Sequence, residues 1–202
     1  MVHRAGTTRR SPTGLVLVSR IHLVRHGRAA AGWDDDADPG LDAVGRSQAE
    51  VTARRLAQLD PTVLVSSPLR RCRETAGFLA AMWNDASVAI EPRVSEIPSP
   101  DGVPLGQRVP WLRAAMAGCW HDLGDRYTTF RDDVVNYVSS RPVDTVIFSH
   151  FIAINAVIGA CLNDDRLVID SLDNASVTVV EALPGGSLRL VERGEQANTL
   201  IR

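Results

Sequence analysis

The 202 residues carry 24 acidic and 22 basic side chains, a net charge of −2, with 45% apolar and 23% charged residues. Such a chain is a folded soluble domain and not a disordered one. Its near-neutral charge argues against a dedicated nucleic-acid binder, and no apolar run approaches the ~20 residues of a membrane span. Every basic residue is arginine. Phosphate-loop chemistry and Schiff-base chemistry need a lysine amine, so both are excluded. Cys72, Cys119 and Cys161 are widely spaced and odd in number. They form neither a disulfide framework nor a zinc cluster, and Cys72 and Cys161 read as buried free thiols.

Residues 1–19 read as a disordered leader ahead of one domain over 20–202, and a cytoplasmic location is expected. Ile21 to Val24 is a short buried strand that breaks at Gly27. Residues 28–43 form a loop. The apolar spacing then predicts a helix from Val44 to Leu59, with Asp42 as its cap and Ala49, Ala53, Leu56 and Ala57 on one face. Thr62 to Val65 is a second strand, and Ser66-Ser67-Pro68 starts the turn into an amphipathic helix carrying Cys72, Thr75, Ala76, Leu79, Ala80 and Trp83.

Four prolines between Glu91 and Gly106 predict a long irregular loop. Helices follow over Gln107 to Trp120 and over Asp125 to Ser139. Thr145 to Phe148 is a third buried strand, and the apolar run Phe151 to Leu162 a buried helix. Ser176 to Val180 and Leu188 to Val191 read as a hairpin around Pro184-Gly185-Gly186. Strands alternating with helices imply an α/β fold: a mostly parallel central sheet with helices on both faces.

Ligands of open α/β sheets bind at the carboxyl ends of the strands. The three buried strands end in Arg25-His26-Gly27, in Ser66-Ser67-Pro68-Leu69-Arg70-Arg71 and in Ser149-His150. Two histidines and several arginines therefore converge on one rim. Arginine grips phosphate through two parallel charge-assisted hydrogen bonds. A neutral imidazole offers a nucleophilic lone pair near pH 7.

Arg25-His26-Gly27, the string Ser66 to Thr75 (Ser-Ser-Pro-Leu-x-Arg-x-x-x-Thr) and Ser149-His150, each after a strand, resemble the histidine phosphatase superfamily, also called phosphoglycerate mutase-like. Leu41-x-x-x-Gly45-x-x-Gln48-Ala49 resembles a further family signature. The resemblance runs from about Ile21 to Val180 and implies a three-layer α/β/α sandwich. It makes His26 the residue phosphorylated in catalysis and adds Arg25, Arg71 and His150 to the phosphate pocket. Arg70 is then a solvated helix residue. The family's general acid is a carboxylate after the second helix, and Glu96 fits that place, with Glu91, Asp101 and the acids Asp34 to Asp38 as alternatives. No metal or other cofactor is implied, because the arginines supply the positive charge.

The implied activity is hydrolysis of a phosphomonoester on a small molecule or a protein side chain, with no nucleic acid or membrane partner. The sheet edge is the expected surface of a homodimer. A threonine and an asparagine that the family often carries after the first motif are here Ala29 and Gly32, and its usual glycines after the second histidine are Phe151 and Ile152. The fuller mutase patterns are missing, which favours a phosphatase. A mutase, or a non-catalytic phosphate-binding module of the same fold, is the alternative.

Overall fold

The computed structural model describes residues 18–32, 34–60 and 62–196. Most of the expected leader, residues 1–17, lies outside them. The first strand, β1 (Ser19–Arg25), begins at the last residue assigned to that leader, where Ser19 pairs with Ala182. Along the chain follow α1 (Ala43–Leu56), β2 (Val63–Ser66), α2 (Arg70–Met82), β3 (Val88–Ile90), α3 (Arg108–Ala115), α4 (Trp120–Leu123), α5 (Asp125–Ser139), β4 (Thr145–Ser149), α6 (Phe151–Leu162), β5 (Val177–Ala182) and β6 (Leu188–Glu192).

The six strands make one mixed sheet in the order β3-β2-β4-β1-β5-β6. β3, β2, β4 and β1 run parallel, and β5 and β6 add an antiparallel flank. Side chains alternate between the two faces, so each face needs its own helical cover. Val24, Leu64, Val146, Phe148 and Val179 point into a core closed by Ala53 and Leu56 of α1 and Cys72, Ala76 and Leu79 of α2. Ile21, Leu23, Val65, Ile147 and Val180 point the other way, onto α3, α5 and α6. The three layers are those the resemblance implied.

Two crossovers, through α1 and α2, carry the chain outward to β3. The return to β4 passes over the opposite face, so β4 is inserted between β2 and β1. That reversal is where an open sheet leaves a crevice at its carboxyl edge. The strand ends are level there. His26 N–H donates to Ser149 O at 3.0 Å, and Ser67 N–H donates to Phe148 O at 3.0 Å.

Three local expectations change. The stretch expected to be irregular is preceded by a short edge strand, β3, whose exposed Ala89 and Ile90 carry no alternating pattern. The helix expected over Gln107 to Trp120 is two helices. Leu167 N–H donates to Gly118 O at 3.1 Å and Trp120 N–H donates to Asp165 O at 2.9 Å, so pairing with residues 165–167 breaks the helical ladder. Cys161 is only partly buried, unlike Cys72.

The string Leu41 to Ala49 has a mechanical explanation. Asp42 caps α1, its carboxylate accepting from Gly45 N–H at 2.7 Å and from Arg28 Nε at 2.6 Å. Gln48 Oε1 accepts Arg28 N–H at 3.0 Å. Gly45 lets the backbone of Arg28 press against the helix, for a Cβ there would sit 2.1 Å from Arg28 O. Gly27 answers it, since its own Cβ would lie 2.4 Å from Gly45 O. The turn after His26 is thus locked onto the first turn of α1.

Candidate active site

His26, Arg25, Arg71 and His150 meet at this edge, and all four side chains are buried. His26 Nδ1 lies 2.8 Å from Gly27 O. A carbonyl only accepts, so Nδ1 carries the proton and Nε2 keeps its lone pair. Burial holds the His26 imidazole well below its ordinary pKa, and the charges of Arg71 and Arg25 push it the same way. It is neutral at pH 7.

Arg71, in the first turn of α2, reaches both rings. Its Nε donates to His26 Nε2 at 3.1 Å, and its Nη2 lies 3.2 Å from His150 Nδ1. The rings themselves stand 5.1 Å apart, edge to face. Thr75, one turn along α2, accepts Gly27 N–H at 3.1 Å and donates to Arg71 O at 2.7 Å. It joins the histidine loop to the arginine helix, which gives the threonine of the second motif a mechanical role.

Arg25 is held from both sides. Its Nη1 donates to Leu172 O at 2.6 Å, and its guanidinium lies 5.0 Å over the Phe151 ring. Burial lowers its pKa to about 10, with Glu96 and Asp173 opposing, so it stays charged. Phe151 thus backs an arginine of the pocket. Arg25 Nε and Arg71 Nη1 are buried and have no hydrogen-bond partner. Buried polar donors are seldom left unmatched, and two guanidinium groups with spare donors suit an anion with several acceptor oxygens.

Glu96 lies near enough to Arg71 and Arg25 to feel their charge, on a segment pinned across the sheet edge. Glu91 N–H donates to Ser66 O at 2.9 Å, Ser149 Oγ donates to Val94 O at 2.8 Å, and Val94 and Ile97 are buried. The Glu96 carboxylate accepts from Ile97 N–H at 2.9 Å and from Ile152 N–H at the start of α6. Burial raises its pKa, while these bonds and the charges of Arg71 and Arg25 pull it down. The alternatives sit elsewhere. Glu91 is bidentate with Arg93, Asp101 pairs with Arg126 at the surface, and Asp38 accepts Arg70 N–H at 2.6 Å. Arg70 itself is exposed and paired with Glu74.

The segment before β5 also touches the site. Asn174 Nδ2 donates to His26 O at 3.2 Å, as does Ala175 N–H, with Ala175 at φ +58°. Asn174, read as a turn residue, is both a turn residue and a brace for the His26 backbone. Residues 28–38 and 98–125, the stretches that would select a substrate, meet in a cleft of about 480 Å³ lined by Ala31, Asp34, Asp35, Asp42, Val109 and Arg113. Trp120 lies in the core, and Trp111 stacks on Tyr127 at 5.5 Å.

Residues 21–101 match the family model of the histidine phosphatase superfamily, branch 1. Over this stretch the chain is similar to the histidine phosphatase superfamily. The match takes in Arg25, His26, Arg71 and Glu96. An uncharacterized protein of Mycobacterium tuberculosis is 33% identical over 132 residues, 56% of this chain and 65% of that protein. The chain thus spans less than two thirds of the curated relatives it matches, and one from Picosynechococcus is 35% identical over 55% of its own length and 46% of this chain. Among solved structures, YhfR of Bacillus stearothermophilus superimposes with a TM-score of 0.72 at 20% identity, over 89% of this chain and 98% of that one. A mycobacterial glucosyl-3-phosphoglycerate phosphatase in complex with inorganic phosphate gives 0.64 at 25% identity, over 90% of this chain and 97% of its own. No helix among the described residues is long and apolar enough to cross a membrane.

Proposed function

We propose that the protein is a phosphomonoester hydrolase working through a phosphohistidine on His26. The observation that carries this reading is Arg71. In the resting pocket one guanidinium bonds the nitrogens of both histidines, while donors on it and on Arg25 lack partners. A phosphoryl group would take those donors and release the Nε2 lone pair of His26. That lone pair attacks phosphorus in line, the ester P–O bond breaks, and Glu96 gives its proton to the departing oxygen. Water then attacks the phosphohistidine and yields a proton to the Glu96 carboxylate, and the P–N bond electrons return to His26. Arg25, Arg71 and a protonated His150 stabilise the charge on the phosphoryl oxygens throughout.

The neighbour named a glucosyl-3-phosphoglycerate phosphatase favours a phosphorylated small molecule as the substrate. The reading is tested by hydrolysis of an aryl phosphate in EDTA. Turnover should persist without metal, and an alkaline denaturing quench should trap a phosphoenzyme that is stable to base and labile to acid. A turnover that collapses in EDTA, or an acid-stable phosphoenzyme, contradicts it. Transfer of the phosphoryl group to a second alcohol, with no free phosphate released, would point to the mutase instead.

Glu96→Gln tests the proton donor. The amide fills the same space and cannot donate in the same way, so hydrolysis of an alkyl phosphate should slow about 10²- to 10³-fold. An aryl phosphate, whose leaving group needs little protonation, should slow far less. In the wild type, alkyl-phosphate turnover falls as pH rises past the raised pKa of Glu96, and the variant loses that limb. Equal losses for both leaving groups would move the acid role to another residue.

A further inference from the structure

Ser67 has no place in the reaction as drawn, yet it is fully buried against His150. Its Oγ lies 2.8 Å from His150 Nε2, across 83 residues of sequence. The proton positions follow from which groups can only donate. Arg71 has no acceptor, so His150 Nδ1, 3.2 Å from Arg71 Nη2, must accept while the ring is neutral. The ring proton then sits on Nε2 and is donated to Ser67 Oγ. That oxygen also accepts Leu69 N–H at 3.3 Å, so both its lone pairs are used. Its own O–H faces the Cys72 sulfur, and Cys72 S–H donates to Ser149 O at 3.3 Å. Cys72 Sγ also lies 3.3 Å from Nε2, but Ser67 Oγ at 2.8 Å is the nearer and stronger acceptor.

We propose that Ser67 is a positioning residue: by accepting the Nε2 proton of His150 it commits Nδ1 of that ring to the phosphate pocket. This rests on the phosphatase reading above. When a phosphoryl group draws Arg71 away, Nδ1 is free to take up a proton and donate it to a phosphoryl oxygen. Nε2–H keeps its partner, so the buried imidazolium is hydrogen-bonded at both ends. The charged groups around the ring oppose that protonation. Burial first, then Arg71 from α2, then His26 and Arg25 at the end of β1, all hold the resting imidazole neutral. The Cys72 thiol on α2 stays protonated, and Glu96 supplies the negative charge of the site through its coupling to both arginines. An anion in the pocket and an acceptor behind the ring are what reverse the balance.

The test reads the ring directly, by ¹⁵N NMR of His150 in the intact protein without ligand and with inorganic phosphate. The free protein should carry its proton on Nε2, and phosphate should protonate both nitrogens. In Ser67→Ala the free ring should keep the Nε2–H tautomer, which Arg71 imposes, but phosphate should no longer protonate both nitrogens at the pH where it does so in the wild type. With an aryl phosphate, whose turnover leans little on Glu96, the alkaline limb of kcat should move to lower pH, and kcat should fall about 10- to 100-fold, the size of one hydrogen bond to a charged group. Ser67→Thr, which keeps the acceptor, should restore both. A free wild-type ring protonated on Nδ1 overturns the proposal even if Ser67→Ala does not fold, as does a Ser67→Ala protein whose ring phosphate protonates as in the wild type, with the wild-type pH profile. A wild type with the Nε2–H tautomer but no phosphatase turnover would instead overturn the reading of function and leave the assignment to Ser67 standing.

Discussion

His26→Ala is expected to lose phosphomonoesterase activity about 10⁴-fold or more while keeping its fold. The size follows from the removal of the attacking atom itself: on His150, Nε2 bears the proton held by Ser67, and Nδ1 takes up a proton for the phosphoryl oxygen once Arg71 turns to the phosphate. Stability should change little. The His26 side chain bonds only its neighbour's carbonyl and Arg71, and losing it relieves burial of one polar ring at the cost of one more unmatched arginine donor. Steady-state hydrolysis, phosphoenzyme trapping and a melting curve on the same preparation check the three parts. More than about 1% residual turnover would show that another group, or water directly, attacks phosphorus.

Gly45→Ala is expected to cost about 3 kcal/mol, because its Cβ has no room. The contact is with the Arg28 carbonyl at 2.1 Å and its amide at 2.7 Å, so backbone and not a flexible side chain must move. The displaced backbone is two residues beyond His26, and activity should fall with stability. For a chain of this size the midpoint of thermal unfolding should drop by about 6–12 °C. Gly77→Ala is the matched control. It lies within α2, its Cβ would meet nothing within 4 Å, and alanine there should hold or slightly raise the midpoint. Equal midpoints for the two variants would refute the packing account.

How much of this was legible in the chain depends on the range of the interaction that sets each feature. α5 and α6 have the expected limits, since Gly124 opens one at φ +87° and Asn163 closes the other in the left-handed region, both local signals. The convergence of two histidines and several arginines was legible because their motifs close buried apolar strands, and the choice of Arg71 over Arg70 came from the resemblance. The role of Ser67 was not legible. As a sequence it is a serine before a proline, and its meaning comes from a ring 83 residues away. The break between α3 and α4 was missed for the same reason, since its cause is residues 165–167. β3 was missed because an exposed three-residue edge strand has no period to read.

The pocket has a thermodynamic side. Two guanidinium groups are buried close together with donors that no protein group accepts. Such an arrangement is carried at the expense of the fold, as active sites commonly are. An oxyanion that satisfies these donors binds the native state alone and must shift the unfolding equilibrium toward it in proportion to occupancy. Affinity for the phosphoryl group and resistance to unfolding are, in this protein, two readings of the same pair of buried arginines.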